Sequence, residues 1–185
     1  SEPGLLQSLF PFLTKLPRSL LPGRLKFIKD FSDTSKPVGA AFNNPSLISQ
    51  DGMEANTKQW RNAEIPAANG HGTARSIAKL YGTLANGGSR DGIHVLKPET
   101  IEMSRLPQSE GKDLVLGGMN TKFGLGFMLG NENISMGPNN KSFGHGGAGG
   151  SLGFCDPDNH VSLGFVMNQM HPGITAWKTA TDVAS

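Results

Sequence analysis

Ser142-Phe143-Gly144-His145-Gly146-Gly147-Ala148-Gly149-Gly150-Ser151-Leu152-Gly153-Phe154 is the stretch that decides how this chain folds. Its first ten residues hold five glycines and one histidine. Glycine weakens a strand, so this density marks a place where a second backbone or a ligand comes close. A glycine-rich turn with no ligand is the plainer alternative, because loops also collect glycine. Downstream, Ser151 to Cys155 and Val161 to Met167 alternate in the manner of strands. Asp156-Pro157-Asp158-Asn159 between them supplies a fixed φ, local side-chain hydrogen bonds and a tolerated left-handed position, so the pair is predicted to form a hairpin. Upstream, Phe123, Leu125, Phe127 and Leu129 alternate with Gly124, Gly126 and Met128, which predicts another strand with a glycine-lined second face.

Two motif matches in the glycine-rich run fail on their context. Gly144, Gly146 and Gly149 fit G-x-G-x-x-G, but that pattern holds a pyrophosphate only when a helix follows and presents its amides. Here a hairpin is expected to follow. Gly149-Gly150-Ser151-Leu152-Gly153 fits the nucleophile elbow G-x-S-x-G, with His145-Gly146-Gly147 as an apparent oxyanion loop. An elbow serine sits on a strand-to-helix turn, and its oxyanion loop comes from an earlier connection. An α/β-hydrolase with Ser151 as nucleophile therefore remains only as an alternative, with Asp156 or Asp158 and His160 or His171 as its possible partners.

Working outward, Thr73 can cap a helix that runs to the Gly87-Gly88 stop. Ala74, Ile77, Ala78, Tyr81, Leu84 and Ala85 form its apolar stripe. Pro98, tolerated in a first turn, starts a second short helix through Met103. Residues 1–50 are punctuated by six prolines and read as loops and short helices; 71–106 read as helical, 121–170 as antiparallel strands, and 174–185 as the start of a terminal helix. Helices followed by antiparallel strands predict an α+β arrangement.

The composition narrows the function classes. With 185 residues, 36% hydrophobic and 17% charged, the chain is long enough to bury a core. A net charge of +2, with basic residues scattered singly, gives no footprint for nucleic acid. Cys155 alone closes no intrachain disulfide, and no Cys/His spacing suits zinc. Among His71, His94, His145, His160 and His171 no pair has i, i+3 or i+4 spacing, so neither a metal nor any other cofactor is implied. Leu5 to Leu21 is interrupted by Pro11, Lys15, Pro17 and Arg18, which argues against a membrane span. Leu5, Leu6, Leu9, Phe10, Phe12 and Leu13 are read as packing against another part of the fold. The start at Ser1, without Met or a signal-like run, suggests a fragment. Asn133-Ile134-Ser135 and Asn140-Lys141-Ser142 are glycosylation sequons that matter only in a secreted protein.

The run Phe143 to Phe154, followed by Asp156-Pro157 and Gly164-Phe165-Val166-Met167-Asn168, resembles the cleft-edge strand and hairpin of the serine β-lactamase and penicillin-binding-protein family. It is most similar to the β-lactamase-related esterase branch. Ala41-Phe42-Asn43-Asn44-Pro45, Trp60, Ala63 to Gly70, Thr73-Ala74-Arg75-Ser76 and Leu84 to Gly88 resemble the same branch in the same order. The resemblance implies a β-lactamase/transpeptidase-like α+β fold, of which this chain holds the later part. It also implies that His145 projects into an acylation cleft, that the amide of Ala148 is an oxyanion donor, and that Gly146, Gly147 and Gly149 let the acyl group lie along the strand. A histidine there would make activity pH dependent where a lysine would not. A histidine that merely satisfies a backbone carbonyl is the alternative. Gly146 stands where penicillin-recognising relatives often carry a hydroxyl, so a small ester or acyl substrate is the better expectation.

The family's nucleophile is the serine of an S-x-x-K motif, followed by a tyrosine motif, and both precede every patch quoted. Ser76 with Lys79 and Ser109 with Lys112 match S-x-x-K, yet roughly one match is expected by chance from sixteen serines and eleven lysines. Ser76 and Lys79 lie opposite the apolar stripe, and Tyr81, the sole tyrosine, lies on it. The expectation is a hydrolase portion whose nucleophile comes from a missing N-terminal part of the same protein, and which is inactive alone. A non-catalytic binding or scaffold protein with the same fold is the alternative from another class.

Overall fold

The chain folds into two compact units, Ser1–Asn69 with Asp113–Gly118, and Gly70–Lys112 with Met119–Ser185. The computed structural model describes residues 16–21, 26, 29–43 and 53–170. The apolar run from Leu5 to Leu13 and the helix expected over 174–185 lie outside the described residues. Among those described, no helix is long and apolar enough to cross a membrane.

In the first unit, α1 (Pro37–Asn43) folds back on the segment before it. Phe42 stacks on Phe31 at 5.2 Å, and the Asn43 side-chain amide donates to the Phe31 carbonyl at 2.6 Å. Arg18 grips Asp30 with two parallel hydrogen bonds, Nε to Oδ1 at 2.9 Å and an NH2 donor to Oδ2 at 2.7 Å. That guanidinium hydrogen bond holds the Asp30 carboxyl below the usual carboxylate range. α2 (Lys58–Asn62) starts at Thr57, whose hydroxyl accepts from the Trp60 amide at 3.1 Å, and it buries Trp60. Asn69 ties the end of α2 to the following turn by donating to the carbonyls of Trp60 and Ala63.

In the second unit, α3 (Ala74–Ala85) begins where the sequence places it. Thr73 and Ser76 form a reciprocal capping box, with the Ser76 amide 3.1 Å from Thr73 Oγ1 and the Thr73 amide 2.9 Å from Ser76 Oγ. The helix stops as Gly87 (φ +77°) and Gly88 (φ +83°) enter the left-handed region, and a Cβ on Gly88 would lie 1.9 Å from the Leu96 carbonyl oxygen. β1 (Ser89–Arg90) and β2 (Ile93–His94) pair across Asp91 (φ +52°) and Gly92 (φ +77°). Asp-Gly is a strong two-residue hairpin signal. This hairpin interrupts the stretch read as helical over 71–106. α4 (Pro98–Ser104) follows, with Pro98 in its first turn.

Among the described residues, six strands form one sheet in the order β3 (Ser109–Asp113), β4 (Met119–Phe123), β5 (Met128–Leu129), β6 (Phe143–Gly146), β7 (Leu152–Asp156), β8 (Val161–Phe165). The sheet therefore starts ahead of residue 121. The continuous strand expected from Phe123 to Leu129 is corrected to a tight turn between β4 and β5, with Phe123 opposite Met128. The Gly124 amide donates to the Phe127 carbonyl at 2.9 Å and the Leu125 amide to the Ser104 carbonyl at 2.7 Å, so the alternation is broken by hydrogen bonds that leave the strand direction. The predicted hairpin is β7–β8, whose turn closes with His160 at φ +53°.

α3 lies across β7 and β8 over a glycine seam. Gly153 and Gly164 are directly opposed, and Ser162 Oγ donates to the Ala78 carbonyl at 2.8 Å. A Cβ on Gly153 would lie 2.5 Å from the Tyr81 ring, and one on Gly164 2.3 Å from the Ala74 carbonyl oxygen. Part of the glycine excess thus serves helix-on-sheet packing. On this face Leu84, Ala85, Ile101, Leu129, Phe143 and Cys155 form the core, with Tyr81, Leu96 and Phe127 against it. Leu152 and Phe154 bury with Leu163 and Phe165 on the other face. That two-faced burial follows from period-two alternation along β7.

Asp156 is fully enclosed and organises the β7–β8 turn. Its Oδ1 accepts from the Asp158 amide at 3.1 Å, and its Oδ2 from the Asn159 side-chain amide at 2.7 Å. Burial opposes ionisation here, yet the donors from Asn159 and Asn139 and the turn amides hold the carboxyl below its ordinary range. A carboxyl lowered in the folded state stabilises the fold above its unfolded pKa of about 3.9, and loses that contribution as pH falls through the folded value. Asp156→Ala is expected to cost about 1–3 kcal/mol at neutral pH. The gap between its thermal unfolding and that of the parent protein should begin to narrow only below about pH 4, when both are scanned across pH.

Candidate active site

β6 is paired unequally on its two sides. Toward β7 it is matched along its whole length, Phe143 with Cys155 through Gly146 with Leu152. Toward β5 only Phe143 and Gly144 have partners, because the chain has already turned away at Phe127. His145 and Gly146 therefore form an open half-edge among the described residues. The Gly147 amide donates to the Ser151 carbonyl on the β7 side at 2.7 Å. Backbone groups alternate sides along an antiparallel strand, so the N–H and C=O of Gly146 face the open edge.

His145 is exposed at this edge, with Nδ1 2.6 Å from the carbonyl oxygen of Gly146. A carbonyl oxygen can only accept, so Nδ1 carries the proton and Nε2 is left as the outward acceptor of the neutral ring. The Phe123 ring, at the end of β4, stands 5.9 Å from the imidazole and tilted 38° to it. In the sequence Phe123 is one of the alternating residues of a predicted strand, and that alternation gives no sign of this second neighbour.

The turn after β6 separates the expected site residues into two sets. Ala148 is exposed, and no hydrogen bond engages its amide among the described residues. Gly147 and Gly149 are occupied by the turn itself. A Cβ on Gly147 would lie 2.1 Å from Ser151 Oγ, while Gly149 has φ +83° and packs against the Met170 side chain. The structure thus leaves His145 and Gly146 at the open end of β6 and Ala148 exposed in the turn that follows, and gives Gly147 and Gly149 steric duties in holding that turn.

Among the described residues, the candidate serines Ser151, Ser76 and Ser109 are each placed in another role, and a serine–histidine hydrogen bond is found instead between Ser89 Oγ and His94 Nδ1 in the exposed β1–β2 hairpin. Ser151 leads from a turn into β7, strand rather than helix, so the elbow reading is corrected. Ser76 is exposed and committed to the capping box, and Lys79 is exposed beside it. Ser109 and Lys112 lie in β3, where an i, i+3 pair points to opposite faces. Burial, aided by Cys155, pushes the Tyr81 hydroxyl up to about 12, so it stays protonated. Burial also pushes the Cys155 thiol up to about 12, with Asp156 adding to the effect and Arg105 opposing it, which leaves an inert thiol.

The sequence profile of the Beta-lactamase family matches residues 29–184. The chain belongs to the beta-lactamase family. The esterase/beta-lactamase LipL of Mycobacterium tuberculosis is 41% identical over 108 residues, 58% of this chain and 24% of LipL. A solved family VIII carboxylesterase superposes with a TM-score of 0.70 at 35% identity, over 80% of this chain and 38% of that one. A penicillin-binding protein homologue from Caulobacter crescentus superposes with a TM-score of 0.64 at 39% identity, over 74% of this chain and 35% of that one. EstA from Arthrobacter nitroguajacolicus gives 0.65 at 27% identity, over 80% and 40%. The chain thus spans about a quarter of its curated relative and 35% to 40% of these solved structures. The β-lactamase/transpeptidase-like α+β fold expected from the glycine-rich strand is the fold of this family.

Proposed function

We propose that this chain supplies the cleft strand and one oxyanion donor of an esterase-type serine hydrolase, whose Ser-x-x-Lys nucleophile and tyrosine lie outside these 185 residues. The observation that supports the reading is the open half-edge of β6 at His145 and Gly146, followed two residues on by the exposed Ala148, whose amide has no hydrogen bond among the described residues. A small ester lies along that edge, its acyl group beside Gly146. The external serine hydroxyl attacks the ester carbonyl carbon and gives its proton to the external base. The carbonyl oxygen gains charge and accepts from the Ala148 N–H and from the amide of the nucleophile. Collapse of the tetrahedral intermediate expels the alcohol, which takes up the proton, and water later cleaves the acyl-serine ester. His145, with Nδ1 bonded to its own strand, offers Nε2 to orient and polarise the substrate.

The test is p-nitrophenyl butyrate hydrolysis by the full-length protein and by this chain alone. The full-length protein should turn over the ester faster than a β-lactam, because Gly146 offers no hydroxyl to a β-lactam carboxylate. The 185-residue chain should show no acylation burst. His145→Ala is expected to lower kcat/KM about 100-fold or more. A burst on any serine of this chain, or full activity in His145→Ala, would overturn the reading. A folded full-length protein without ester turnover would favour the non-catalytic binding role instead.

A further inference from the structure

The imidazole of His145 has an aromatic neighbour that the chemistry of ester cleavage leaves without a task. Nδ1 lies 2.6 Å from the Gly146 carbonyl oxygen, and that carbonyl faces the open edge of β6, so the imidazole lies over the gap where β5 no longer pairs. The Phe123 ring, its centroid 5.9 Å from that of the imidazole, borders the same gap. Phe123 closes β4, and the tight turn that follows it is the one that cuts β5 short.

Phe123 is spent on no core. It is half-buried and belongs to neither buried cluster of the sheet among the described residues. Phe127, four positions on, shows the contrast: it packs edge-on against Phe143 at 4.8 Å and Tyr81 at 6.3 Å, inside the core. Nor is the Phe123 ring needed to aim His145, which the bond to the Gly146 carbonyl already orients. What it adds is apolar surface beside the polar groups of the half-edge. Small-molecule sites have that composition, an apolar lining with a few placed polar groups.

We propose that Phe123 is a specificity-determining residue of the ester site, its ring the apolar wall that receives the far end of a hydrocarbon acyl chain. The inference rests on the esterase reading above. With the ester carbonyl at the Ala148 N–H and the acyl group beside Gly146, a chain longer than acetyl runs one further residue along β6, about 3.3 Å, toward His145 and the phenyl ring. The site therefore selects esters of apolar acyl groups of several carbons over acetyl esters.

The experiment is steady-state hydrolysis of p-nitrophenyl acetate and p-nitrophenyl hexanoate by the full-length protein, by Phe123→Ala and by Phe123→Gln, each variant first checked by thermal unfolding. The parent protein should favour the hexanoate at least tenfold in kcat/KM, since a single methylene in an apolar site is worth about that much. Each Phe123 variant should lower kcat/KM for the hexanoate about tenfold more than for the acetate. A ring that served only the fold, or only propped His145, would lower both esters together. Phe123→Gln puts a polar chain in place of the ring without emptying the space, so it decides the matter if Phe123→Ala does not fold. A parent protein that favours the acetate, or a hexanoate preference kept in either folded variant, would overturn the role of Phe123 while leaving the esterase reading intact. No turnover of either ester by the folded full-length protein, or full activity in His145→Ala, would overturn that reading and this inference with it.

Discussion

Ala148→Pro in the full-length protein is expected to lower kcat for ester hydrolysis about 100- to 1,000-fold, equivalent to about 2.7–4 kcal/mol, with little change in KM. Proline removes one N–H, the group proposed to meet the developing oxyanion, and the Ala148 amide supports no other hydrogen bond among the described residues. The fold therefore loses no backbone bond when that donor goes. Ala148→Gly keeps the N–H and should stay within a few-fold of the parent enzyme, which separates the donor from the side chain. A loss seen in KM alone would mean that the amide binds ground state and transition state equally, and the oxyanion assignment would fail.

Gly164→Ala should be strongly destabilising in the described sheet. Its Cβ would lie 2.3 Å from the Ala74 carbonyl oxygen and 2.7 Å from the Ala78 amide, both helix backbone, which cannot swing aside as a side chain can. Overpacked cores cost about 1–3 kcal/mol, and a backbone clash belongs at the upper end. For a chain of this size about 3 kcal/mol lowers Tm by roughly 6–12 °C. Gly153→Ala meets the Tyr81 ring and the Ile77 methyl at 2.5 Å and 2.7 Å, side-chain rather than backbone atoms, and should cost less. Gly70→Ala, with nothing within 4 Å, should leave Tm unchanged. If the three variants melt together, α3 does not rest on the glycine seam.

These two substitutions show why one composition signal carries two meanings. Glycine density at 142–154 announces close approach, but only the register distinguishes what approaches. Gly153 and Gly164 admit a helix, Gly147 admits the Ser151 hydroxyl, and Gly146 faces the open edge. The missed β1–β2 hairpin was legible in Asp91-Gly92, whose positive φ values are those such a turn demands. The β4–β5 turn was less so, because Phe123, Leu125, Phe127 and Leu129 keep perfect alternation through it. What breaks the strand is the Leu125 amide bonding to Ser104, a partner 21 positions away that no local pattern encodes.

The sequence by itself determined the capped helix at Thr73, its stop at Gly87-Gly88, the Asp156 turn and the family of the glycine-rich strand. Each of these depends on residues within a few positions of one another, through capping, left-handed φ or side-chain-to-backbone bonds. Only the tertiary structure decided which half of β6 is left open and that Phe123 stands beside His145. Those features arise where strands distant in sequence end or fail to pair, and strand pairing is fixed by packing across the whole sheet.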